Sequence, residues 1–310
     1  MTITAKSVLA SVSPDGVRID TLLLRYPRFI HAEALTHRVI STQPEGLVYE
    51  SIPDGLMYCK ELSRNASSSR AIPVNRLIAD VESDPVYPIF WGKNQPGMQA
   101  REELEGEEKS LASSEWMDAR DRAVQSAKAL SHIGAHKQIV NRILEPFAHI
   151  NVVVTSTEWD NFFALRIHED AQPEIKALAE AMRDAMDGAN VQKLDYGRWH
   201  LPFVSKEETR RMGGLTDPSS NLRVVSAARC ARTSYKTHDG RVSTLKEDIA
   251  LGERLTKSRP FHASPFEHQA MPDMKVVEEA ESDREEWVNP EKHRNFTGWM
   301  QNRAFMEEEL

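Results

Sequence analysis

Along residues 16–38, GVRIDTLLLRYPRFIHAEALTHR, a β-leaning apolar run gives way after Pro27 to helical spacing, which predicts a strand followed by a helix. The β-branched stretch at residues 150–159, INVVVTSTEW, predicts a further strand. Residues 101–133 are rich in Glu, Ala, Lys and Arg and predict helix, interrupted near Ser113 and Ser114. Another helix is expected over residues 173–186, PEIKALAEAMRDAM, with Pro at its first position, Gly188 just past its end, and Met182 and Met186 in the core. Turn formers cluster at residues 42–58 and 204–220, which read as polar loops. The second could instead be a linker to a separate C-terminal module, a reading that the motif blocks below disfavour. Strands and helices mix without repeats or long low-complexity tracts. The expected fold class is therefore α/β (α+β), with a mixed or antiparallel sheet flanked by helices.

At 310 residues the chain can bury one large core or two ordinary ones. Its net charge of −8 argues against a general nucleic-acid binder, so any anion site must be local. No apolar run reaches the roughly 18 residues of a membrane span, and residues 1–16 lack the pattern of a signal peptide. Cys59 and Cys230 provide neither a disulfide framework nor metal-ligand spacing, and no metal site is expected. A reducing, cytoplasmic setting is the expectation.

The candidate anion site is LSRNASSSRAIP, residues 62–73. Serine hydroxyls and backbone N–H groups donate to phosphate oxygens, and an Arg fork adds a permanently charged bidentate donor. Free N–H groups at a turn or helix start would strengthen the effect. Composition alone leaves open a plain Ser-rich surface loop.

Further blocks stand along the chain: THR at 36–38, RILEPF at 142–147, NFFALRIHEDAQPEI at 161–175, CARTSY at 230–235 and FHASPFEH at 261–268. Together with the serine run they resemble the flavin-dependent thymidylate synthase family. Ser63, Asn65, Ser68 and Arg70 fall on the family's Ser-x-Asn-Glu-x-Ser-x-Arg pattern, and His37 and Arg38 on the end of its Arg-His-Arg. Arg142 matches an Arg-Ile-x-x-Pro block, Asn161 and Arg166 an Asn-Phe-x-x-Leu-Arg block, Ser234 an Ala-Arg-x-Ser block, and His262, Ser264 and Glu267 the His-x-Ser/Thr-Pro-Phe-Glu-His block. The chain departs from the pattern in five ways. Thr36 replaces the first Arg, Ala66 replaces the Glu, and Glu33 stands where the family has Gln. Residues 42–62 read as a loop inserted into the signature. The 230–235 and 261–268 blocks follow the signature instead of preceding it. That order is what circular permutation of one domain would give, so the expectation is a single domain over residues 1–310 with the C-terminal part completing the site.

The resemblance implies reductive methylation at C5 of a pyrimidine deoxynucleotide monophosphate, dUMP to dTMP. Methylenetetrahydrofolate would supply carbon, FAD would carry hydride and NADPH would reduce the flavin. No cysteine nucleophile is implied. Ser68, Arg70 and Arg142 resemble the phosphate and sugar clamp, with Glu33 among the substrate groups. Arg166 resembles the cation beside the pyrimidine ring, and Ser68 and Arg166 are the catalytic candidates. His37, Arg38, Asn65, Asn161, Ser234, His262, Ser264 and Glu267 resemble flavin contacts. The blander readings are a buried ion pair for Arg142, a helix-surface salt bridge for Arg166 and structural histidines at His262 and His268. WHLPF at 199–203 and NFTGWMQNR at 295–303 are as readily core as ligand path. The family's assembly, a homotetramer with shared sites, is expected here. Competing functions are C5 methylation or hydroxymethylation of dCMP, a catalytically silent flavin- or nucleotide-binding relative, and a generic phosphate-binding enzyme. A carboxylate at Glu33 suits the amino group of cytosine.

Overall fold

The computed structural model describes residues 2–36, 63–97, 99–212, 221–233, 241–277 and 285–309. The expected loop over 42–58 and the inserted segment 42–62 lie outside them. In chain order the first elements are β1 (Thr4–Val12), β2 (Arg18–Pro27) and α1 (His31–Thr36), then β3 (Ser63–Ala66), α2 (Val74–Ser83), α3 (Gly106–His132) and α4 (Lys137–Leu144). There follow β4 (His149–Ser156), α5 (Asp160–Arg166), α6 (Pro173–Asp187), β5 (Val191–Lys193), α7 (Lys206–Arg211), α8 (Leu222–Arg232) and α9 (Leu245–Lys257). The chain ends in β6 (Ala270–Pro272), β7 (Lys275–Val277), β8 (Glu285–Trp287), β9 (Trp299–Gln301) and α10 (Asn302–Glu308).

Five strands form one mixed sheet in the order β3-β4-β2-β1-β5, antiparallel throughout except for the parallel β1–β5 edge. β1 turns into β2 through Gly16, whose φ of 81° lies in the left-handed region that a side chain would disfavour. The central β2 is buried on both faces, which is why RIDTLLLRYP reads as a continuous apolar run and not as an alternating one. Leu22, Leu24 and Tyr26 point to one face, with Ile150, Val152 and Val154 of β4 beside them. Over that face lies α6, whose Ile175, Leu178, Ala179, Met182 and Met186 recur at three- and four-residue spacing, as amphipathic packing requires. Pro173 opens this helix and Gly188 caps it. A second apolar cluster joins α2, α3 and α4 through Leu77, Val81, Val124, Ala127, Val140 and Leu144.

Two sequence expectations change here. The helix over 106–132 is continuous through Ser113 and Ser114. Strong helix formers on both sides carry the serines through, and the Ser113 hydroxyl bonds the Tyr87 hydroxyl. The polar segment 204–220 contains α7, started by a capping box in which Ser205 and Glu208 bond each other's backbone N–H.

The opposite face of the sheet receives the C-terminal third. Val153 packs against Phe203 and Cys230, which lie beside Val8 and Leu23. Next to them runs a buried polar chain. Gln192 Nε2 donates to Ser11 Oγ (3.1 Å), which pairs with His200 Nδ1 (2.8 Å), and His200 Nε2 pairs with Thr21 Oγ1 (2.9 Å). Thr21 then meets Thr155 Oγ1 (2.8 Å), and Thr155 meets His268 Nδ1 (2.9 Å). Burial pushes both imidazoles down to about 3, so they are neutral. α8 and α9 are tied by Arg229, 4% exposed, between Asp248 (2.7 Å) and Glu208 (2.6 Å). Trp299 and Phe296 are core residues, as is Phe203. Trp199 lies edge-on to Phe305 beneath Arg223.

Candidate functional site

The serine run forms neither a helix start nor a free loop. Ser63–Ala66 pair with β4 as the edge strand β3, and Ser67 locks onto Asn151 through Ser67 N to Asn151 O (2.8 Å) and Asn151 N to Ser67 Oγ (3.0 Å). A 3-10 turn over Ser69–Ala71 follows, ended by Pro73 ahead of α2. Asn141 of α4, fully buried, donates to the carbonyls of Ser69 (2.7 Å) and Ile72 (2.9 Å) and fixes the turn. Ser68 and Arg70 are thereby held exposed while Ser69 points inward. Arg70 makes no ion pair or hydrogen bond among the described residues.

Arg142, in the last turn of α4, meets this turn through an unforeseen residue. Glu145 accepts from Ser69 Oγ (2.5 Å) and from Arg142 Nη1 (3.0 Å), and pairs with Arg28 Nε (3.4 Å). Arg142 is 55% exposed, so it is a surface ion-pair partner and not a buried one. Arg28, 18% exposed, also reaches the Ser67 carbonyl (3.4 Å). Beneath lie Tyr26 and His31, whose hydroxyl and Nδ1 are 2.9 Å apart. Burial, reinforced by Arg28 and Arg64, lowers His31 to about 4. Burial also raises the Tyr26 phenol, against the pull of Arg64 and Arg28. The neighbourhood is positive, and sequence patterning missed Arg28, Ser69 and Glu145. Two of these residues sit inside the quoted blocks, where a serine or a glutamate between motif positions gave the only available signal.

The C-terminal blocks come to the other side of β3. With its amide oriented so that both ends are satisfied, Asn65 donates to Ser264 Oγ (3.1 Å) and Ser264 O (3.3 Å). Ser63 bonds Asn295 (2.9 Å) and Gln301 (3.2 Å). Glu267, raised by burial and partly offset by Arg303, accepts from Arg303 Nη1 at 2.7 Å. His262 and Ser264 are exposed at the start of this turn, whereas His268 is fully buried on the polar chain. An amide, an exposed hydroxyl, an exposed imidazole and a half-buried carboxylate around one turn make a donor and acceptor set that fits a nucleotide-like cofactor such as FAD.

Other candidates stand apart. Asn161 and Arg166 are carried by α5, which packs on α6, while Ser68 and Arg70 lie at the turn after β3 and Arg142 on α4. Arg166 is half-buried and makes no salt bridge among the described residues. Glu33 falls within α1, and its side chain lies outside the described residues, as do His37, Arg38, Ser234 and Cys59. Cys230 is fully buried, which pushes its thiol pKa up and away from nucleophile chemistry. Among the described residues no His, Cys, Asp and Glu side chains group as metal ligands, and no helix is long and apolar enough to cross a membrane. A groove of about 880 Å³ opens on the sheet face beside Ser67, lined by Lys6, Leu23, Arg25, Phe203 and Thr233. It thus touches both the serine run and the residue preceding Ser234.

Residues 20–189, more than half of the chain, match the family described as thymidylate synthase complementing protein. The match takes in the serine run, Arg142 and Arg166, and ends before the 230–268 blocks. A solved structure of the UMP/dUMP methylase PolB from Streptomyces cacaoi, bound with 5-Br UMP, is similar at 17% identity and a TM-score of 0.42, over 60% of this chain and 88% of that one. No curated protein matches the chain. On the family match, the chain belongs to the thymidylate synthase complementing protein family.

Proposed function

We propose that the protein methylates C5 of a pyrimidine deoxynucleotide monophosphate, taking dUMP to dTMP, with FAD as cofactor and methylenetetrahydrofolate and NADPH as co-substrates. The observation that carries this reading is the meeting of the serine turn and Arg142 at Glu145, inside the region matched by the family. When bound, the flavin supplies hydride chemistry that side chains lack. The chain's own residues bind and orient. Ser68, Arg70 and Arg142 hold the phosphate, with Arg70 free to form a bidentate contact. Arg166 lies along the pyrimidine ring and stabilises negative charge at O2 or N3 as C5 becomes nucleophilic. Asn65, His262, Ser264 and Glu267 face the flavin, joined by His37, Arg38, Asn161 and Ser234. By the family resemblance, the reading includes a homotetramer whose sites combine residues from several subunits. The C-terminal blocks complete the same site, in keeping with a permuted single domain.

A second reading, C5 modification of dCMP, is favoured by the sequence at two positions, Glu33 in α1 where the family has Gln and Ala66 at the exposed end of β3 where the family has Glu, since a carboxylate accepts from the amino group of cytosine. The phosphate clamp serves both. The test is a visible absorbance spectrum of the purified protein, followed by calorimetric titration with dUMP. Flavin bands and saturable binding are expected, with Arg70→Ala weakening the nucleotide about tenfold or more while flavin stays bound. A colourless protein that no FAD restores, or an unaffected Arg70→Ala, refutes the reading.

A further inference from the structure

A carboxylate in the middle of a phosphate clamp is costly, since it repels the anion the site is to hold. Glu145 is nevertheless built in rigidly. It closes α4 and opens a 3-10 turn over Glu145–Phe147 whose Phe147 is buried at 8% exposure, and its neighbour Ala148 receives the Arg28 N–H (2.9 Å). Its side chain is only 21% exposed and is pinned from below by the hydroxyl of Ser69, itself 2% exposed. Onto this fixed anion converge Arg142 Nη1, at 3.0 and 3.2 Å from the two oxygens, and Arg28 Nε at 3.4 Å. The Ser69–Ala71 turn that carries Arg70 is held by the same carboxylate. The four side chains Arg28, Arg70, Arg142 and Glu145 sum to +2, the complement of a phosphate monoester dianion.

We propose that Glu145 is the positioning residue of the clamp, a built-in counter-anion that holds Arg28, Arg142 and the serine turn in one arrangement before phosphate arrives. Without it, the Arg28 and Arg142 guanidinium groups that converge on this point repel each other, and the long Arg142 side chain, already half exposed, swings into solvent. Ordering it on binding then subtracts from affinity, because immobilising a rotamer-rich side chain costs free energy that preorganisation avoids. Glu145 does not contact the substrate and acts through the two arginines and Ser69. The inference rests on the nucleotide reading above and deepens it.

The alternative role for such a carboxylate is as a competitor that occupies the anion site and is displaced by phosphate. The two roles differ in sign. Glu145→Gln keeps the shape and an acceptor for Ser69 and removes the charge. If Glu145 positions the clamp, Glu145→Gln weakens dUMP binding about tenfold and leaves deoxyuridine, which has no phosphate, unchanged. If it competes, dUMP binds more tightly. Isothermal titration of both ligands against wild type and variant, with thermal unfolding as the control for folding, decides between them. Tighter or unchanged dUMP binding overturns the proposal, and so does an equal loss for dUMP and deoxyuridine, because a merely structural defect would affect both. Should Glu145→Gln not fold, Ser69→Ala carries the test, since it unpins the carboxylate without changing charge. The same phosphate-selective weakening is then expected, and unchanged dUMP affinity refutes it. A wild-type protein that binds no nucleotide overturns the nucleotide reading itself, an outcome distinct from wild-type binding that the variants leave untouched.

Discussion

Replacing Thr155 by Val tests how the C-terminal third is fastened to the sheet. Thr155 is fully buried and stands at the centre of the polar chain, bonded to Thr21 Oγ1 (2.8 Å) and His268 Nδ1 (2.9 Å). Valine has nearly the same shape, so no cavity forms and the loss is one of hydrogen bonding alone. Thr21 keeps its bond to His200 (2.9 Å). His268 fares worse, because its Nε2 already has no hydrogen-bond partner among the described residues and the substitution strands Nδ1 as well. A net hydrogen bond contributes about 1 kcal/mol and a stranded buried polar atom costs about 1–3 kcal/mol, so the variant should lose about 2–4 kcal/mol of stability. His268 directly follows the Ser264–Glu267 turn, so on the proposed flavin reading weakened flavin retention should accompany the loss. Urea denaturation followed by circular dichroism measures the stability, and absorbance of the desalted protein measures the flavin. A loss below about 0.5 kcal/mol would mean that the chain of hydroxyls and imidazoles does not hold the two parts together.

The same chain sets a pH dependence. His200 and His268 titrate near 3 when folded and near 6.5 when unfolded, so the unfolded chain takes up protons first as pH falls. Stability is therefore complete above about pH 6.5 and declines toward pH 3, by at most about 1.4 kcal/mol per pH unit per histidine, which denaturation at stepped pH values will measure. Asn65→Ala cuts the link from β3 to Ser264, and flavin occupancy should fall while the far-ultraviolet circular dichroism is kept. Full occupancy would remove Asn65 from the site.

Much of the frame was legible because local pattern and tertiary packing agreed. The run before Pro27 is a strand because it is buried on both faces, and the 173–187 helix carries its core stripe at the expected spacing between a Pro start and a Gly end. The joining of Asn65 to Ser264, nearly two hundred positions away, was legible only through motif resemblance, since nothing in either segment alone indicates the other. The polar chain was not legible. Ser11, Thr21, Thr155, His200 and His268 are individually ordinary and acquire a role only when β1, β2 and β4 bring the three hydroxyls together and the segments carrying His200 and His268 pack onto them. Glu145 escaped for a similar reason, because beside the nearby Arg142 its partners Ser69 and Arg28 come from two distant segments. The capping box at Ser205 and Glu208 was present in the sequence, but the neighbouring turn formers outweighed it.

Purified protein is given FAD, NADPH and methylenetetrahydrofolate together with dUMP or dCMP, and the nucleotide products are identified by mass. Conversion of dUMP to dTMP that requires methylenetetrahydrofolate, NADPH and flavin, whether bound or added, is the expected result. Exclusive turnover of dCMP would reassign the base while keeping the chemistry, and no methylated product from either nucleotide would contradict the account.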